Sequence, residues 1–426
     1  MLYYYQGLFI PFARHVQAVR NLAGGYSFGD DFYQIWLTSR TGLRDRRDLY
    51  SPEMTREIQI GLYGRPLDSR RATDPKDLRM FPYPAFTDLL FWPASQIPFA
   101  LVRAVVLGIL VALTLATIWL WIRVLCWQLD WRWQAVAVLL AMCSYPVLEG
   151  LYALQVGLLV SFFLACSIFA LQRGRLTLSG VLLALTTIKP QVTILAVLYL
   201  FVWTSQDWRN RWRWCAAFFS TLFLLAGAAL VVWPHWIGSW INILVQYHGY
   251  TAPPVVSDVL ATPLGPRLFG PVSRILVAGL VAIAVVLISR YRNASAGSAE
   301  FLLTLSVLLG ITTIALLPGQ AVYDHIILLP GIFLLASHKQ PPVPTRMFRA
   351  LLGTGSALLL WPWVSAFGLI LLRPFLGPAT SYPKAVLALP LRTSASFPFV
   401  VVALLALAMR ATWRSGAAST FGQTFR

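Results

Sequence analysis

An all-α protein that crosses a membrane several times is what this sequence predicts, and three observations carry that expectation. Of the 426 residues, 58% are hydrophobic and only 12% are charged, too little polar surface to clothe a soluble domain. Continuous apolar runs occupy 99–122, 152–171, 214–233, 272–288, 302–317 and 351–372. Each approaches the ~20 residues that a helix needs to cross a ~30 Å hydrocarbon core. Lipid leaves the backbone two ways to satisfy itself, helices or closed barrels, and continuous rather than alternating runs choose helices. The third observation is that the basic residues gather in short segments between these runs.

The formal charge of +18 would also suit a nucleic-acid binder. The placement of that charge argues otherwise, since short basic loops are what membrane topology requires, and no nucleic-acid partner is expected. Cys126, Cys143, Cys166 and Cys215 are scattered over apolar segments without metal-ligand spacing. They read as small hydrophobes, with neither a disulfide nor a metal site implied. The opening MLYYYQGLFIPF is too short to span and has no small-residue cleavage site.

The loops sort by charge. Segments 123–132, 173–175, 209–213, 290–292 and 338–349, with the tail after Arg410, are basic and are expected on the cytoplasmic side. Residues 1–96, the turn at 145–150, the loop 234–271, the turn 318–320 and the loop 373–394 fall opposite. One run breaks the alternation. Residues 177–203 are apolar, yet both flanks are basic. Proline ends a helix and disfavours helix before it, so Lys189-Pro190-Gln191 is expected at the tip of a re-entrant hairpin lining protein or a wet cavity. Two regions result. Residues 1–96 form an external loop region carrying an acidic pair, its first spanning helix missing or truncated, and 97–426 form the helical bundle.

The chemistry-bearing residues are the few that interrupt the apolar pattern. In GYSFGDDFYQIW, Asp30-Asp31 precede an aromatic stretch. A carboxylate there can take a proton from a hydroxyl, or it can cap a helix. Lys189 is an ionisable group inside an apolar run, which calls for an anion, an internal partner or a cavity; a phosphate would serve. Asp324 and His325 follow Tyr323 at the head of another run, and the imidazole can donate to a departing phosphate or orient a carboxylate. Gln155 opens LQVGLLV and suits either sugar hydroxyls or a helix end. Tyr83 lies in FPYPAFTDLLFWP, whose aromatic rings suit the membrane interface, the favoured reading, or carbohydrate stacking. Nucleotide-binding and soluble-hydrolase motifs are absent. A broken helix with a charged tip is also a transporter feature, but the chain has no internal repeat.

Taken in order, GDDFYQIW, RDLYSPE, FPYPAFTDLLFWP, LQVGLLV, TIKPQ and YDHIILLPG resemble the polyprenyl-phosphate-mannose-dependent α-mannosyltransferases, glycosyltransferase family 87 of the C-type superfamily. The pieces are short and run from residue 29 to about 331; their order and spacing carry the likeness. The resemblance implies a multi-helix enzyme of the cell membrane with its active site on the non-cytoplasmic face. It implies a polyprenyl-phosphate sugar donor, a glycan or glycolipid acceptor and membrane lipid as partners, with no cofactor. The family's acidic motif falls on Asp31-Phe32, giving Asp31 the general-base role, and its Tyr-Asp-His motif falls on Tyr323-Asp324-His325, with His325 expected to act in turnover near Lys189. Asp30, Tyr83, Gln155, Lys189, Gln191, Tyr323 and Asp324 are the expected substrate contacts, with Arg267 as an alternative phosphate-binding cation. Leu154 stands where the family usually has glycine. A single departing phosphate can be neutralised by Lys, Arg or His, so a metal is not expected.

Overall fold

The computed structural model describes residues 1–19, 28–68, 70–75, 77–128, 130–250, 255–319, 321–337, 346–376, 384–391 and 393–414. Side chains are described throughout these except at 248–250, 255–269, 376, 384–385 and 411–414. The described residues are helical, with no strand. Four helices are long and apolar enough to cross a membrane, or five if one bent pair is a single span.

The N-terminal region is built of short helices laid on the bundle. Helix α1 covers residues 2–19 and includes a π-helical stretch at Tyr5–Phe9. Helix α2 (Asp30–Arg44) starts after Gly29, whose φ of 83° lies where glycine alone is unstrained. Its first turn holds both aspartates, whose charge suits the positive end of the helix dipole. Helix α3 (Pro52–Tyr63) has Ser51 as N-cap, accepting from the Met54 amide at 3.1 Å, and proline in the first turn where no donor is lost. Helix α4 (Phe86–Ser95) packs on α2. Phe32, Ile35, Met54 and Ile58 are buried in one core with the bundle residues.

Two segments of the bundle expected as irregular connections are helical, and the basic segment at 338–345 lies outside the described residues. After α5 (Phe99–Val124) and α6 (Trp131–Met142), the expected turn at 145–150 is instead helix α7 (Tyr145–Ala153), bent by 54° from α6. Pro146 sits in its first turn, where proline starts a helix without losing a donor. The expected loop at 234–271 is likewise helical, as α12 (Trp236–Tyr250) and the start of α13 (Val255–Arg290). Charge sorting reports which end a segment occupies, not whether it is irregular.

Between them lie α8 (Val156–Gln172), α9 (Leu176–Leu185), α10 (Ile194–Ser205) and α11 (Trp208–Val232). Helices α9 and α10 form the expected hairpin. Arg175 at the foot of α9 and Arg209 and Arg213 at the foot of α11 share one polar pocket. Trp214 Nε1 donates to Ser179 Oγ at 3.2 Å, and Arg211 Nη1 donates to the Trp203 carbonyl at 2.7 Å. The chain therefore enters at Arg175, turns at Lys189 through two 3₁₀ turns, and returns to the same end. Helix α14 (Ala299–Ala315) runs through the centre with every residue but Glu300 buried, and Thr312 and Thr313 return their hydroxyls to carbonyls one turn back, as an apolar setting demands. A 3₁₀ turn (Val322–Leu328), α15 (Leu329–Ser337), α16 (Arg346–Leu376) and α17 (Phe397–Arg414) complete the chain.

Candidate active site

At the end of the bundle away from Arg175 and Arg209, a cavity of about 570 Å³ opens between the N-terminal helices, α7, α12 and the hairpin tip. Asp30, Asp31, Tyr83, Gln155, Lys189, Gln191 and Tyr323 all line it. Residues far apart in sequence are thus brought to one place.

Asp31 is at its centre. Arg79 Nη1 donates to Asp31 Oδ1 at 2.7 Å, and Gln155 Nε2 donates to Oδ2 at 2.7 Å. Each carboxylate oxygen keeps a second lone pair, so an acceptor hydroxyl can still donate to Asp31. The capping alternative divides between the neighbours. Asp30 Oδ1 accepts the Asp31 amide at 3.1 Å, occupying a free donor of the first helical turn, while the Asp31 carboxylate is left to the cavity. Arg79 Nη2 also reaches Asp30 Oδ2 at 3.0 Å. Burial, with the like charge of Asp31 adding to it, pushes the Asp30 carboxyl up to about 7 despite Arg79.

Gln155 joins the two halves of the site. Although it is the N-cap of α8, its side chain makes no capping bond. Its Oε1 accepts from Lys189 Nζ at 3.4 Å and lies 3.5 Å from the donating Tyr83 hydroxyl. The turn that presents it passes through Leu154 at φ 54°, a left-handed conformation that costs a branched side chain energy. A glycine habit at this position has that explanation. Leu154 compensates by packing: it is fully buried, in contact with Gly29.

Lys189 is buried, with its ammonium 2.9 Å from Asp324 Oδ1 and 2.7 Å from Oδ2, and 4.6 Å from the Tyr323 ring centre. The internal ion pair and the cavity position are both realised. Gly157 makes room for the pair. A Cβ there would sit 2.2 Å from Asp324 Oδ1.

His325 requires a correction. Successive residues of a 3₁₀ turn point about 120° apart, so the turn that aims Asp324 at Lys189 sends His325 elsewhere. Its side chain lines a separate, apolar cavity of about 250 Å³ beside α6, α15 and α16. Its Nε2 is buried without a partner among the described residues. It is not positioned to give a proton in the cavity of Asp31. Tyr83 also departs from the favoured interface reading: it is 7% exposed and faces the cavity. The side chain of Arg267 lies outside the described residues.

Sequence reasoning missed Arg79, the cation that touches both aspartates. Its signal was indirect, since an acidic pair at a buried helix start needs a counter-charge. Nothing in its own surroundings marked it. It too adopts a left-handed backbone, φ 55°, held by its amide donating to Asp77 Oδ1 at 2.9 Å and by Nε donating to the Tyr63 hydroxyl at 3.0 Å. Among the described residues, no cluster of His, Cys, Asp and Glu has metal-binding geometry.

Carboxylates and cations gathered in one cavity at one end of a membrane helical bundle define a class: a multi-pass membrane protein built for polar chemistry at the membrane surface. The comparison with known families narrows it. The model of glycosyltransferase family 87 matches residues 81–318, more than half of the chain, and this protein belongs to that family. It is a glycosyltransferase. The matched segment contains Tyr83, Gln155, Lys189 and Gln191, whereas Asp31 and Arg79 lie outside it and reach the cavity through the fold. Asp324, also outside it, does not line the cavity as expected of a substrate contact but lies buried behind it, paired with Lys189. No curated protein and no solved structure matches the chain.

Proposed function

We propose that the protein transfers a hexose, mannose by its family resemblance, from a polyprenyl-phosphate donor to a glycan or glycolipid acceptor with inversion. Asp31 takes the proton of the acceptor hydroxyl as its oxygen attacks the anomeric carbon. The bond from that carbon to the phosphate oxygen breaks, and the phosphate leaves with the electron pair. Arg79 and Lys189 are the cations near enough to meet the growing negative charge. Asp30 assists: when it holds a proton, Arg79 is shared by one carboxylate fewer and can turn to an incoming phosphate. A phosphate leaving group needs no acid of its own, which suits a mechanism without His325.

The observation that carries this reading is the bridge from Asp31 through Gln155 to Lys189 across one cavity. It sets a base and a cation within the span of one amide side chain, both lining the same cavity. Arg175, Arg209 and Arg213 lie at the far end of the bundle, so by the positive-inside rule the cavity faces the non-cytoplasmic side of the cell membrane. Two cations already in the cavity also favour transfer without a metal.

Membranes containing the protein, given radiolabelled polyprenyl-phosphate-mannose and a mannoside acceptor, should form product in the presence of EDTA. Transfer from a nucleotide sugar and none from the lipid phosphate would overturn the donor assignment. Loss of activity in EDTA, restored by a divalent cation, would overturn metal independence.

A further inference from the structure

A second cavity, of about 440 Å³ and lined by both polar and apolar side chains, lies open between α3 and α12 on the outer side of the segment 77–83. That segment is a partition one chain thick. Leu78 faces the outer groove, Asp77 and Arg79 face the catalytic cavity, and Met80 borders both. Helix α12 is shared in the same way. Residues 239, 242, 243 and 246 fall on one helical face and 240, 244 and 247 on another. The first set lines the groove and the second lines the catalytic cavity.

The groove wall is chemically specific. Ser239, Asn242 and Gln246 from α12 oppose Thr55 and Arg56 from α3, above apolar Met80 and Ile243. Among the described residues, none of those five polar side chains has a hydrogen-bond partner. Neutral donors and acceptors spaced along an apolar floor suit a sugar ring, with hydroxyls at its rim and C–H groups on its face. A lone Arg56 among amides and hydroxyls is a weak site for a phosphate group. The groove is also coupled to the catalytic cavity: Gln59 Nε2, in its wall, donates to the Leu78 carbonyl at 2.8 Å, one residue from Arg79.

We infer that this groove binds the neutral oligosaccharide portion of the acceptor, holding its inner sugars while the terminal sugar crosses the 77–83 partition to Asp31. The inference rests on the transferase reading above and adds a preference for acceptor length.

The test uses octyl α-mannoside and octyl α-mannotetraoside with wild type and the Asn242→Ala/Gln246→Ala double variant, each checked for folding by thermal melting. Wild type should favour the tetraoside. The double variant should reduce the ratio of kcat/KM for tetraoside over monoside by about tenfold, the effect of losing two ordinary hydrogen bonds. An unchanged ratio in a folded, active variant overturns the groove. So does competition by inorganic phosphate with loss of binding in Arg56→Gln alone, which would mark an anion site. Absence of transfer to either glycoside by wild type would sink the proposed function. The groove is then judged by tetraoside binding to wild type without donor: binding that the double variant loses supports it, and no binding, or equal binding by both, overturns it.

Discussion

Asp31 has one carboxylate oxygen on a guanidinium and the other on an amide, an arrangement that fixes its direction without using all its lone pairs. Asp31→Asn keeps the shape and removes the proton acceptor. Transfer should fall by on the order of 10²-fold or more at equal folded protein, the range for a lost general base, and rates equal to wild type would remove the central claim. Gly157 offers a steric test of the neighbouring ion pair. Gly157→Ala places a methyl group on Asp324 Oδ1, and overpacking of this kind costs about 1–3 kcal/mol. A lowered melting temperature and weakened transfer should appear together. Asp30 supplies a pH signature. Its folded-state pKa is raised from 3.8 to about 7 by burial and by Asp31. Folding therefore takes up a proton between those values. The stability from this group is fully present below about 3.8 and is lost as pH rises through about 7. Asp30→Asn should flatten the fall in melting temperature across that window. A fall as steep as in wild type would assign the pH dependence to another group.

At the scale of elements, the hairpin of α9 and α10 was legible because two independent signals met in it, basic flanks on both sides and a Lys-Pro break at its middle. Helix α7 and the start of α13 were not, because loop charge reports which end of the bundle a segment occupies and carries no signal for whether it is helical. The candidate site was legible where a polar residue interrupted an apolar run, as at Gln155 and Lys189. Arg79 was hidden because an arginine in a polar loop is unremarkable until the fold buries it against two aspartates. His325 misled because adjacency to Asp324 in sequence puts it on the opposite side of a 3₁₀ turn. The pairing of Lys189 with Asp324 also changes what a mutation there would mean. Lys189→Met strands a buried carboxylate, which costs about 3–5 kcal/mol when one member of such a pair is removed. Lys189→Met/Asp324→Asn should recover most of that stability. If Lys189 serves the donor phosphate, the double variant should still show a raised KM for donor, with little change for acceptor. Full recovery of donor KM would make the lysine a structural ion-pair residue only.

For the whole molecule, the governing fact is that the polar cavity sits at one end of the bundle and Arg175, Arg209 and Arg213 at the other. Helix α8 has Gln155 at its start and ends at Gln172, where the chain turns to Arg173 and Arg175, and 17 residues of helix separate the two ends by about 25 Å at 1.5 Å per residue. The hairpin repeats the arrangement, with Lys189 at its tip and Arg175 and Arg209 at its feet. A bundle with this polarity has one favourable orientation, because short basic loops stay in the cytoplasm. The expectation is specific at two positions. Asn210, exposed at the foot of α11, belongs with the cytoplasmic loops only if 177–203 enters and returns. Glu53, exposed in the first turn of α3, belongs with the cavity outside. In a background with all four cysteines replaced, Glu53→Cys should react with a membrane-impermeant maleimide in intact cells. Asn210→Cys should react only after the membrane is opened. Labelling of both positions from outside would mean that 177–203 crosses the membrane once, so that Arg175 and Arg209 lie on opposite sides. The shared pocket at the feet of α9 and α11 excludes that arrangement in this fold. The reverse pattern, with Asn210→Cys reacting in intact cells and Glu53→Cys only after opening, would invert the molecule. Asp31 would then face the cytoplasm, where nucleotide sugars are the ordinary donors, and the lipid-phosphate donor would lose its main topological support.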